Sequence, residues 1–97
     1  MNIVREAYAG TLESSDLTVR IAPGTGGVEI FVTSIVAAQF GAAIKAEIAN
    51  TLAQLGVASC IVTADDKGAL DCVIRARVQA AVARAADGKI TLWGNAS

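Results

Sequence analysis

The sequence predicts an α+β fold of two layers: a mixed four-stranded sheet with two helices on one face, in the order β-β-β-α-β-α. Three observations lead there. Apolar residues alternate with polar ones over 16–22 and again over 28–33, the period of half-buried strands. From Val36 the apolar residues recur in steps of four and three, the period of a helix. A β-branched run at 57–64 and a second helical stripe then follow.

Residues 8–13 read as a short first strand. In the second, Leu17, Val19 and Ile21 share one face, and Asp16, Thr18 and Arg20 the other. Ser14 and Ser15 lie between these runs as a two-residue connection, which sets Ser14 at a hairpin tip. Pro23-Gly24-Thr25-Gly26-Gly27 is a loop. Val28, Ile30 and Val32 then face one way along a third strand.

The first helix carries the stripe Val36, Phe40, Ile44, Ile48, Leu52 and Leu55, with Ser34 as N-cap and Gly56 just past its end. Gly41 inside it costs about 1 kcal/mol relative to Ala and reads as close packing on the sheet. The run at 57–64 predicts a strand covered on both faces. Asp65-Asp66-Lys67-Gly68 turns into a second helix near 69–86. Its stripe is Leu70, Ile74 (or Val73), Val78, Ala81 and Ala85, with Asp71 and Arg75 paired i,i+4 opposite and Gly88 as its stop. Strands 28–33 and 57–64, joined by one helix, form a βαβ unit with parallel strands. The other face of the sheet is expected to stay partly open, for a partner.

A chain of 97 residues is expected to be one domain, 1–97. With 54% hydrophobic and 18% charged residues it can bury a core, which excludes disorder. The aromatics are only Tyr8, Phe31, Phe40 and Trp93, so small and branched side chains must pack closely. Eight basic against nine acidic residues give a net charge of −1; there is no basic stripe, and nucleic acid is not expected as a partner. There is no His, which excludes a Ser–His–Asp hydrolase and a His-bound zinc site. Cys60 and Cys72 form no CxxC pair and read as two buried thiols in a reducing compartment. No apolar run reaches the roughly 18 residues of a membrane helix. The N-terminus has no signal-peptide core, so a cytoplasmic location and no membrane contact are expected.

Few residues offer chemistry. The glycine loop at 24–27 is not a P-loop, because no helix start and no Lys-Ser/Thr pair follow it. Asp65 and Asp66 offer carboxylates to a divalent cation, but beside Lys67 they more often cap a helix, and no metal is expected. Arg75 reads as solvated. Arg77, nearer the edge of its stripe, can pair or touch a partner, and Trp93 is a core plug or an interface anchor. Ser14 stands apart by its placement. At a hairpin tip its hydroxyl is open to a modifying enzyme, between Glu13 and Asp16, although most turn serines serve only the turn.

Two blocks carry a resemblance. Ala9-Gly10-Thr11-Leu12-Glu13-Ser14-Ser15-Asp16, followed by Val19-Arg20-Ile21-Ala22-Pro23, resembles the N-terminal signature of the citrate lyase acyl carrier proteins, the gamma chain of that complex. Asp65-Asp66-Lys67-Gly68-Ala69-Leu70-Asp71-Cys72 with Ile74-Arg75-Ala76-Arg77, and Gln39-Phe40-Gly41, resemble the same family, so the likeness spans nearly the whole chain.

The resemblance implies a non-catalytic acyl carrier subunit. Ser14 would hold 2′-(5″-triphosphoribosyl)-3′-dephospho-CoA, covalently, through a phosphodiester. The implied partners are the citrate lyase alpha (CoA-transferase) and beta (citryl lyase) subunits and the transferase that forms the holo-protein. Acetyl and citryl thioesters on the arm would pass between partner sites as citrate is cleaved to acetate and oxaloacetate. The chain departs from the family in Ser15, where the family carries Gly, a residue that takes positive φ more readily. Two other readings stay open: the carrier of a malonate decarboxylase, which uses the same arm, and an unmodified scaffolding module. An ordinary acyl carrier protein, a strongly acidic helical bundle, is rejected because strands are expected on both sides of Ser14.

Overall fold

The computed structural model describes residues 1–35 and 37–87, with the side chains of 37 and 38 left aside. Val36, Gly88 and Trp93, on which expectations were placed above, lie outside the described residues. The elements are β1 (Ala7–Gly10), β2 (Leu17–Ala22), β3 (Val28–Ser34), α1 (Ala37–Gln54), β4 (Cys60–Asp66) and α2 (Asp71–Ala85). The order β-β-β-α-β-α is the expected one.

The sheet runs β1-β2-β4-β3. β1 pairs antiparallel with β2, and β2 antiparallel with β4. β3 pairs parallel with β4, as the βαβ reading requires. The alternation in β2 does what period 2 dictates: Leu17, Val19 and Ile21 are fully buried, while Arg20 is exposed. Both helices lie on that buried face. Ile44, Ile48 and Leu52 of α1 and Ile74, Val78, Ala81, Val82 and Ala85 of α2 join β2, Ile30 and β4 in one apolar core. Each large aliphatic side chain buried there stabilises the fold by roughly 1.5–3 kcal/mol.

The opposite face stays open. The registers align Tyr8, Arg20, Thr63 and Phe31 in one row across all four strands. Tyr8 and Phe31 are exposed there, and Arg20 pairs with Glu6. β4 departs from the expectation of two covered faces: Cys60, Val62, Ala64 and Asp66 are buried, while Thr63 between them is exposed. Its β-branched run reflects a central strand, paired on both edges, rather than cover on both faces.

The helix ends explain the remaining departures. Ser34 ends β3, and its hydroxyl donates to the Asp66 carboxylate at 2.8 Å. At the other end Gly56, with φ +74°, is in the left-handed region. Its N–H reaches Ala53 O at 3.0 Å and the Val57 N–H reaches Leu52 O at 3.0 Å. That pair of bonds is a Schellman motif, the ending Gly56 predicted. Phe40 and Leu70, placed on the buried stripes by spacing, are 53% and 69% exposed. Each sits in or just before the first turn or so of its helix.

Candidate functional site

Ser14 does not sit in a two-residue hairpin. β1 ends at Gly10 instead of 13, so the connection to β2 spans residues 11–16. Gly10 forces this ending. Its φ is +98°, and a Cβ there would lie 1.8 Å from the Leu17 carbonyl oxygen. No side chain fits, and the backbone leaves the ladder at that point.

Within the loop, the Asp16 N–H donates to Glu13 O at 3.2 Å, and Ser15 has φ +65°. A four-residue turn with positive φ at its third position is type II, and Ser14 occupies the second position. The Ser15 N–H donates to Lys67 O at 2.8 Å, and the Lys67 N–H donates to Asp16 O at 2.9 Å. Two residues thus oppose one, with the first left-handed, the pattern of a G1 bulge. That position ordinarily takes Gly, the residue the resemblance implies there. Ser14 itself is exposed on this clamped turn.

Asp16 is the hub beneath it. Sequence reasoning put Asp16 on the polar face of a strand and in a negative local field; the structure buries it and neutralises it. Arg77 of α2 donates from Nε to Oδ1 at 2.9 Å and from Nη2 to Oδ2 at 2.8 Å. The Thr11 hydroxyl donates to Oδ2 at 2.6 Å, and the Leu17 N–H to Oδ1 at 2.7 Å. The hydrogen bonds from Arg77 hold the Asp16 carboxyl well below the usual carboxylate range, against the opposing effect of burial, with Thr11 and the Leu17 N–H adding to the lowering. Asp16 in turn raises the Arg77 guanidinium. Thr11 also accepts from the Glu13 N–H at 3.2 Å, so the chain on both sides of Ser14 is tied to the same carboxylate. No local signal marks Asp16 and Arg77 as partners. Only the placement of Arg77 at the edge of its stripe hinted at a contact.

The other candidates resolve simply. The two Asp66 oxygens accept from Ser34 Oγ and from the Ala69 N–H at 2.9 Å, so this carboxylate braces the turn into α2. Among the described residues no group of three His, Cys, Asp or Glu is placed to hold a metal. The loop at 23–27 is tied down by Ser59 Oγ to Gly24 O at 2.7 Å and by the Cys60 N–H to Gly27 O at 3.1 Å, and β3 follows it. Arg75 is not merely solvated: it meets Glu47 of α1 at 3.5 Å, rather than Asp71. Cys60 is buried, and burial pushes its thiol up, but Cys72 is exposed, contrary to the expectation of two buried thiols. Among the described residues no helix is long and apolar enough to cross a membrane.

Over residues 4–85 the chain matches the family model for the malonate decarboxylase delta subunit (MdcD), an acyl carrier family. It is 55% identical over 93 residues to the citrate lyase acyl carrier protein of Pectobacterium carotovorum, covering 96% of this chain and 97% of that one. It is 54% identical over 98 residues to the citrate lyase acyl carrier protein of Vibrio cholerae, covering all of both.

This chain belongs to the citrate lyase acyl carrier protein family. Citrate lyase acyl carrier protein 2 of Salmonella typhimurium is 51% identical over 94 residues. The fold is shared more widely. A chain of a Pseudomonas malonate decarboxylase hetero-tetramer, crystallised with malonate, superposes with a TM-score of 0.62 at 19% identity, over 89% of each chain. The family makes this protein an acyl carrier subunit. Strands lie on both sides of Ser14, as expected from the sequence.

Proposed function

We propose that this chain is the acyl carrier of a citrate lyase, with 2′-(5″-triphosphoribosyl)-3′-dephospho-CoA joined to Ser14 Oγ by a phosphodiester. The observation that carries this reading is the exposed Ser14 on a turn clamped by Lys67 and braced by the Asp16–Arg77 pair. Ser14 is exposed, so a modifying enzyme can approach its hydroxyl without unfolding the loop. When bound, the group supplies a terminal thiol, whose thioesters exchange readily because sulfur stabilises the carbonyl poorly.

The chain's own residues hold and present. The turn fixes where the tether starts, and the core beneath it keeps that point rigid. Asp16 is no general base for attachment, since both its oxygens are engaged and the Arg77 hydrogen bonds lower its affinity for a proton. The proton of the Ser14 hydroxyl must go to a group of the attaching transferase or to water. Acid–base work on the acyl group belongs to the partners, an alpha CoA-transferase subunit and a beta citryl-lyase subunit. Tethering holds the cargo near both sites at an effective concentration of order millimolar as citrate is cleaved to acetate and oxaloacetate. The carrier unit in this reading is the whole of residues 1–97.

Intact mass and peptide mapping of the protein from an active native complex test the proposal. The expected result is the arm's mass on the Ser14 peptide and loss of citrate cleavage in Ser14→Ala. An unmodified chain from active complex, or full activity in Ser14→Ala, overturns it and leaves a scaffolding module. A second reading, the carrier of a malonate decarboxylase, is favoured by the family model and by the solved fold relative. Turnover of malonate instead of citrate by the reconstituted complex would select it.

A further inference from the structure

β2 begins, and β3 and β4 end, at the same end of the sheet, so the Ser14 turn and the starts of α1 and α2 gather there. Between those helix starts lies a cleft of about 630 Å³, within the size range of small-molecule sites. Phe40 and Ile44 line it from α1, and Leu70, Cys72 and Ile74 from α2. Its exposed apolar surface includes both Phe40 and Leu70, the two residues that left their predicted stripes. Among the described residues no Lys or Arg lines the cleft; its acidic members are Asp66 and Asp71. Such a lining disfavours phosphate and carboxylate and suits a neutral chain of methylenes and amides.

Ser14 is close to it. Ser15 is hydrogen-bonded to Lys67, and Gly68, the next residue, lines the cleft. Counted in Cα steps along and across the backbone, Ser14 and Gly68 lie within about 13 Å. We propose that this cleft is the resting site for the neutral end of the Ser14 arm, its pantetheine chain with a free thiol or an acetyl thioester. The inference rests on the reading of Ser14 given above. A tethered chain needs little affinity, because its local concentration is of order millimolar. No side chain caps α2 at Leu70, which leaves first-turn N–H groups beside the cleft for an amide or thioester carbonyl. The resting arm keeps its thioester out of water between visits. An acyl group bearing carboxylates is turned outward by Asp66 and Asp71.

Cys72 reports occupancy, since it is an exposed free thiol in the cleft lining, whereas Cys60 is buried. The experiment compares iodoacetamide alkylation of Cys72, followed by peptide mass, in the isolated full chain as apo-protein and as holo-protein with its arm thiol acetylated. Alkylation should slow by roughly fivefold or more in the acetylated holo-protein, as expected when a millimolar effective concentration exceeds a sub-millimolar Kd. Leu70→Asp, at an exposed N-cap position where Asp favours the helix, should return the ratio to near one without lowering the thermal melt. Equal rates in apo- and holo-protein with the arm mapped to Ser14 overturn the cleft proposal alone. An arm mapped to another residue overturns both the cleft and the Ser14 reading. Protection that needs added partner subunits assigns the cleft to protein docking and overturns the proposal.

Discussion

Arg77 grips Asp16 across 61 positions of sequence, with one guanidinium nitrogen on each carboxylate oxygen. The fork ties the middle of α2 to the loop that presents Ser14. The Asp16 side chain is 12% exposed and that of Arg77 37%, so the pair is worth more than a surface ion pair and less than a fully buried one. Arg77→Ala is therefore expected to cost about 2 kcal/mol of stability. Arg77→Lys should recover only part of it, because an ammonium cannot make the fork. Urea unfolding of the three proteins measures the series. Equal stability of Arg77→Ala and wild type would mean that the pair does not hold the loop.

The same pair sets a pH dependence. The folded-state Asp16 carboxyl is held below its unfolded value, so its contribution is complete above the unfolded-state pKa, near pH 4. It drains away as the pH falls from there through the lower folded-state value. Asp16→Asn lacks this linkage. The stability gap between wild type and Asp16→Asn should be widest at pH 7 and narrower at pH 3, read from urea midpoints at the two pH values.

Ser15 stands in a left-handed position at the bulge opposite Lys67. Ser15→Gly relieves that backbone and should raise stability by about 0.5–1 kcal/mol, after the entropy Gly adds to the unfolded chain. Ser15→Val should lower it, because a β-branched residue resists positive φ. Thermal melts of the two variants should bracket the wild type. The reverse order would remove the bulge from the account.

At Gly10 the obstacle is contact as well as φ. An added methyl meets the Leu17 carbonyl oxygen at 1.8 Å, so Gly10→Ala must push β1 away from β2. A loss of at least about 2 kcal/mol is expected. Hydrogen exchange at Ser15 and Lys67 should quicken in step, as those amides clamp the displaced loop.

The two thiols should separate under native conditions. Cys72 is exposed and should be alkylated at once in the apo-protein, whereas Cys60 should react only after unfolding. Burial raises the Cys60 thiol and also denies it access to reagent. Mass mapping before and after urea addition checks both.

Much of the sheet was legible because burial follows period 2 in β2 and, beyond the exposed Val28, in β3, and α1 showed its middle stripe for the same kind of reason. The ends were less legible. Thr11 and Asp16 look like strand residues by composition, yet their side chains hydrogen-bond each other and hold an irregular loop open. Phe40 and Leu70 keep the helical spacing, but spacing does not say which turns of a helix are covered. The exposure of Ser14 followed from turn logic, although the turn is six residues long rather than two. The brace beneath it was out of reach, since a contact between residues 16 and 77 leaves no trace in any local window.

That long span has a consequence for the order of events in the cell. Lys67 and Arg77 both come late in the chain, and both are needed to shape the turn around Ser14. A nascent or truncated polypeptide that stops short of the second helix has the serine but lacks its finished platform. On the reading of Ser14 proposed above, loading of the prosthetic group would wait for the second helix to dock and complete the turn.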